Sequence, residues 1–93
     1  MATVTIARLR ELIRTLDYLV STHAADELED DDLTILDLES ILLTGRIRER
    51  QRDRKTNEAK FVVRGLTLEG EAAEAVCKLA PSGKLIVITV YRC

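Results

Sequence analysis

The sequence predicts an α+β domain, with N-terminal helices packed on a three- or four-stranded antiparallel sheet, and three observations carry that prediction. Apolar residues recur at helical spacing before Gly45 and at strand spacing after it. The runs Phe61-Val62-Val63 and Leu85-Ile86-Val87-Ile88-Thr89-Val90-Tyr91 are rich in β-branched and aromatic residues, which suit a pleated surface. A chain of 93 residues is long enough for one compact core and too short for a second, so residues 1–93 read as a single domain.

Thr3–Leu16 places Ile6, Leu9, Leu12, Ile13 and Leu16 on one side of a helical wheel and leaves Arg8, Arg10, Glu11 and Arg14 for solvent, the pattern of a helix covering a sheet. Tyr18-Leu19-Val20-Ser21 reads as an extended lead-in to Thr22-His23, where Ser21 or Thr22 can cap a second helix through Ala24, Ala25, Glu27 and Leu28. A third helix has the stronger start signal. Thr34 followed by Asp37 resembles a capping box, and Leu33 with Leu38 supplies a hydrophobic staple. Ile35, Leu38, Ile41 and Leu42 form its apolar side, and Gly45 is expected to stop it in the left-handed conformation.

Beyond Gly45, Arg46–Asp53 reads as a polar strand, Arg54–Glu58 with Asn57 as a turn, and Lys60–Leu68 as a second strand. Lys84–Tyr91 is a near-continuous apolar run, the mark of a central strand covered on much of both faces. Gly70–Leu79 supports two readings. Glu71-Ala72-Ala73-Glu74-Ala75 favours helix by propensity, whereas Ala73, Ala75, Cys77 and Leu79 can line one side of a strand that turns at Pro81-Ser82-Gly83. The compact antiparallel connection to the last strand selects strand.

Charge is unevenly placed although the formal total is only −2: residues 26–39 carry eight acidic groups and no basic one, and residues 46–64 carry eight basic groups against three acidic ones. Arg46, Arg48, Arg50, Arg52 and Arg54 fall at every second position, so a regular strand would project all five from one face. Such a stripe suits phosphate or an acidic protein. It is also what a solvated edge strand carries to discourage stray sheet pairing.

No segment has the apolar length of a membrane helix or the order of a signal peptide, so a cytoplasmic location without membrane contact is the expectation. Cys77 and Cys93 have neither the number nor the spacing of a disulfide framework or zinc site, and no metal or other cofactor is expected.

The order Thr22-His23-Ala24, a short helix, the Asp37 helix ending in Gly45, Arg46-Ile47-Arg48-Glu49, Gly65 in the next strand and Ile88-Thr89-Val90-Tyr91 resembles the bacterial family called domain of unknown function 4258. The resemblance spans roughly Tyr18 to Tyr91. It implies a small α+β, RelE-like fold similar to the RelE/ParE and BrnT toxin group, a toxin–antitoxin setting with an antitoxin protein as partner, in some cases a zinc-finger antitoxin of the MqsA kind, and relatives that cleave RNA. The acidic run Glu29-Asp30-Asp31-Asp32 departs from that pattern, because related proteins often place basic residues there.

Three residues are the catalytic candidates. The imidazole of His23 can exchange a proton near neutral pH, removing that of a ribose 2′-hydroxyl or protonating a leaving oxygen, with Asp26 or Glu27 to orient the ring. Arg64, with Arg48 or Arg92, can stabilise phosphate charge. Tyr91 can contact a base or carry a proton. Against these stand ordinary roles: His23 as a helix anchor, Asp26 and Glu27 as solvated helix residues, Tyr91 as packing at a strand end. Arg46, Arg48, Arg50, Arg52, Arg54 and Lys55 are candidates for contact with RNA phosphates or an acidic partner. Three function classes follow: a metal-independent ribonuclease of toxin type, an RNA-binding module with little base stacking because only Tyr18, Phe61 and Tyr91 are aromatic, and a protein-interaction module, homodimerisation included.

Overall fold

Thr5 starts the first helix by accepting the Arg8 backbone N–H on its hydroxyl at 3.2 Å, and α1 then runs Ile6–Arg14 with Leu9, Leu12 and Ile13 buried. The computed structural model describes residues 5–52 and 54–93. The expected helix start at Thr3 and strand end at Asp53 lie outside the described residues. Tyr18–Val20 forms a short strand, β1. Ser21 caps α2 (Thr22–Asp30) by accepting from Ala24 N.

Helix α3 (Ile35–Thr44) opens with the full capping box: Thr34 Oγ1 accepts from Asp37 N, and Asp37 Oδ2 accepts from Thr34 N at 2.9 Å. The other carboxylate oxygen of Asp37 accepts from Leu68 N at 3.0 Å, which ties the helix start to the chain leaving the sheet. Hydrogen bonds from Thr34 and then Leu68 hold the Asp37 carboxyl below its ordinary value of 3.8. A carboxylate whose folded pKa is depressed contributes stability above the unfolded pKa and loses it as pH falls through the folded one. Asp37→Asn has a single oxygen for these two donors, so it is expected to lose about 1 kcal/mol near pH 7. Denaturant melts below pH 4 should then show the gap between variant and wild type shrinking; a gap that persists unchanged would contradict the assignment.

The remaining strands are β2 (Arg46–Arg52), β3 (Ala59–Leu66), β4 (Ala72–Leu79) and β5 (Leu85–Arg92). Residues 72–79 are therefore strand, as the compact hairpin demands: Ala80 N donates to Lys84 O and Gly83 N to Ala80 O, with Gly83 at φ +92°. The sheet itself differs from the expected one. Among the described residues it has five strands in the order β1-β5-β4-β3-β2, and β1 runs parallel to β5, so the expectation of a three- or four-stranded antiparallel, RelE-like sheet is corrected to a mixed five-stranded one. The cause is the lead-in Tyr18-Leu19-Val20, which pairs with Leu85, Ile86 and Val87 through Leu85 N to Asp17 O and Ser21 N to Val87 O.

Helices cover one face only. Leu9, Leu12, Ile13, Ala24, Leu28, Leu38, Ile41 and Leu42 bury themselves against Val63, Ala73, Ala75, Cys77, Leu85, Val87 and Val90, which share the inner face by register. Gly45 does not stop α3 in the left-handed region, since its φ of −83° and ψ of 173° are extended. Its small size serves close approach: a Cβ there would lie 2.5 Å from Ile41 O and 2.5 Å from Val63 Cγ1. At Gly65 a Cβ would lie 2.0 Å from Ile41 O, so α3 and β3 approach too closely there for any side chain.

Candidate anion-binding site on the open sheet face

Pairing across the sheet assembles the site. Arg46 stands opposite Arg64, Arg64 opposite Glu74, and Glu74 opposite Tyr91. Directly opposed residues project to the same face, so this row crosses β2 to β5 on the face that the helices leave bare.

A β-bulge decides what joins the row. Ile47 pairs with Val63 but Glu49 pairs with Val62, which leaves Arg48 as the inserted residue. Ile47 follows Val63 into the core, and beyond it the extra residue reverses the facing of everything that follows. Arg48 keeps to the open face with Arg46 and donates Nη1 to Glu74 Oε2 at 3.1 Å. Arg50 and Arg52, opposite Phe61 and Ala59, lie on the other face. The expected single-faced stripe is therefore split, Arg46 and Arg48 on the open side and Arg50 and Arg52 on the helix side. Arg50 lies over the Phe61 ring at 5.8 Å, and Arg52 Nη1 donates to Asn57 O at 2.8 Å. Arg54 and Lys55 sit further out at the β2–β3 hairpin, lining a depression with Arg52 and Lys60.

Glu74 is the organising residue of the open face. Its Oε1 accepts the Tyr91 hydroxyl at 2.6 Å while Oε2 takes Arg48. The Glu74 side chain is 12% exposed and that of Arg48 53%, so the pair hides the carboxylate and presents the guanidinium. The Tyr91 hydroxyl is pushed up to about 12, first by its hydrogen bond to Glu74, then by desolvation and the Glu74 charge. At neutral pH it is a proton donor. Arg46, Arg48 and Arg64, with Thr44 and Leu66, line one depression; Arg48, Glu49, Val62, Glu74 and Tyr91 line the adjoining one. Arg48 is common to both.

His23 is placed elsewhere. Its Nε2 lies 3.2 Å from Glu27 Oε1, and the same oxygen accepts from Val90 N at 3.0 Å, so this pair sits where α2 meets β5. His23 lines neither depression. Arg92 donates to Glu71 and to Asp31 O, and Asp26 is exposed on α2. Of the catalytic candidates, then, Arg64 and Tyr91 share the open-face row and His23 stands apart from it. Glu74 was not among the candidates. The alternation of Ala73, Ala75 and Cys77 with Glu74, Val76 and Lys78 was the signal that could have found it, once residues 72–79 are strand.

Among the described residues no His, Cys, Asp and Glu side chains gather in threes or more as a cation site. Burial pushes the Cys77 thiol up to about 12, and Cys93 is exposed; both are free. Among the described residues no helix is long and apolar enough to cross a membrane.

A helix layer on one face of a mixed sheet, with Arg46, Arg48 and Arg64 clustered on the bare face, defines a small α+β protein with an arginine-rich sheet surface. The chain belongs to the family Domain of unknown function (DUF4258), whose model matches residues 20–92. That span includes the whole open-face row. The match establishes the family and does not extend to the RelE/ParE and BrnT toxins. The chain matches no curated protein and no solved structure.

Proposed function

We propose that this protein binds the phosphate backbone of RNA on its open sheet face and cleaves it without a metal, as the toxin of a bacterial toxin–antitoxin pair. The observation that supports the reading best is the row Arg46–Arg64–Glu74–Tyr91, with Arg48 beside it on the same face and bonded to Glu74. The arginines take the phosphate oxygens, and a phosphate that draws Arg48 toward itself frees Glu74 Oε2 to accept a 2′-hydroxyl. Glu74 removes that proton, the 2′-oxygen bonds to phosphorus, the P–O5′ bond breaks, and the departing oxygen takes the proton of Tyr91. The products are a 2′,3′-cyclic phosphate and a 5′-hydroxyl. Glu74 then holds the proton that Tyr91 has lost, and the hydrogen bond between them, 2.6 Å long, returns it. The toxin–antitoxin setting is what the order of residues from Thr22 to Tyr91 implies through its resemblance to the DUF4258 family.

Binding is tested by fluorescence anisotropy with labelled single-stranded RNA across a salt series. Neutralising phosphates with Arg46, Arg48 and Arg64 should give a log–log slope of about −2, from roughly −0.7 per contact. Arg64→Gln should make that slope shallower by about 0.7 and weaken binding for every RNA sequence alike. No binding at low salt, or an unchanged slope in Arg64→Gln, would remove the RNA reading.

A further inference from the structure

We propose that the outer edge of β2 is a docking strand for an acidic β-strand of a partner protein, a role that does not rest on the RNA reading. β2 is an edge of the sheet, and Arg46, Arg48, Arg50 and Arg52 are all exposed on it. An edge of seven residues presents a row of backbone donors and acceptors able to accept another strand.

The charges choose the occupant. In a two-fold antiparallel pair of β2 with a second copy, even-numbered positions beyond the bulge meet even-numbered positions, so Arg50 and Arg52 would each face an arginine of the other copy. Self-pairing is thereby disfavoured. A strand carrying Asp or Glu gains a charged cross-strand pair at each of the same positions, and Glu49 is the one carboxylate in β2 to oppose it. The bulge adds specificity. Arg46 and Arg48 stay on the open face while it turns Arg50 and Arg52 to the other, so the complementary strand carries acidic side chains on both faces rather than in a simple alternation. The other edge of the sheet is less open to a partner: β1 has three residues, and the stretch of β5 beyond it gives the Val90 N–H to Glu27 of α2.

The test uses two short synthetic peptides built of valine and threonine with either glutamate or lysine on both faces, titrated into ¹⁵N-labelled protein. The glutamate peptide should shift β2 amides, slow their hydrogen exchange, and weaken as salt rises. Arg50→Glu/Arg52→Glu, with its fold checked by its own spectrum, should raise the Kd at least about tenfold for the glutamate peptide and gain affinity for the lysine peptide. Shifts centred on Arg64, Glu74 and Tyr91 instead of β2 would show that the peptide merely fills the open-face anion site, and would overturn the proposal. So would a protein that pairs with itself through β2, or a glutamate peptide that does not bind.

Discussion

Gly65→Ala is expected to cost about 3 kcal/mol, at the upper end of overpacking penalties, and to shift the denaturant midpoint of the whole domain. A Cβ at this position would stand 2.0 Å from Ile41 O, 2.8 Å from Ile41 C and 3.0 Å from Gly45 Cα. All three are backbone atoms, so no side-chain rotation relieves the clash. The helix has to lift from β3, and Leu38, Ile41 and Leu42, which are fully buried, lose contact with Val63 and Ala75. Because Arg64 precedes Gly65 and pairs with Arg46, the same shift disturbs the open-face row. Gly70→Ala is the control. A Cβ there would meet nothing within 4 Å, and a side chain at its φ of +82° costs roughly 1–2 kcal/mol. Equal midpoints for the two variants would contradict the packing described for α3 on β3.

Glu74→Gln is expected to lower RNA cleavage by roughly a hundred- to ten-thousandfold while leaving RNA binding within a few-fold of wild type. Glutamine keeps the shape and an acceptor for the Tyr91 hydroxyl but cannot take the 2′-proton. The arginines proposed to hold the phosphate remain. Tyr91→Phe should lose a comparable factor through its missing donor, and its product should still bind. His23→Ala should retain cleavage, because its ring pairs with Glu27 beside Val90 rather than with the row. Loss of cleavage in a folded His23→Ala protein, with Glu74→Gln active, would transfer the chemistry to the α2 side of the molecule.

Short-range signals were the legible part of the fold. The Thr34–Asp37 box, the Ser21 cap, the change of period at Gly45 and the β5 run all act between close neighbours in sequence, and each appears where the residues place it. What escaped depends on partners far along the chain. Tyr18-Leu19-Val20 becomes a strand only because Leu85-Ile86-Val87 offers an edge. Gly45 carries a common helix-stop residue, yet its smallness answers to Ile41 and Val63 rather than to a left-handed turn. The arginine stripe looks uniform in the sequence because local alternation carries no trace of a bulge, and the residue inserted between Ile47 and Glu49 is what breaks it. Glu74 was hidden for a related reason. Its neighbours Glu71, Ala72 and Ala73 favour helix, and only the hairpin to β5 makes its outward position visible.

The measurement that bears most directly on the proposed activity is end-group analysis of RNA incubated with purified wild type, Glu74→Gln and His23→Ala in the presence of EDTA, with all three proteins shown to be folded. The expected result is 2′,3′-cyclic phosphate and 5′-hydroxyl ends from wild type and His23→Ala, and intact RNA with Glu74→Gln. Intact RNA in every sample, or cleavage that survives Glu74→Gln undiminished, would contradict it.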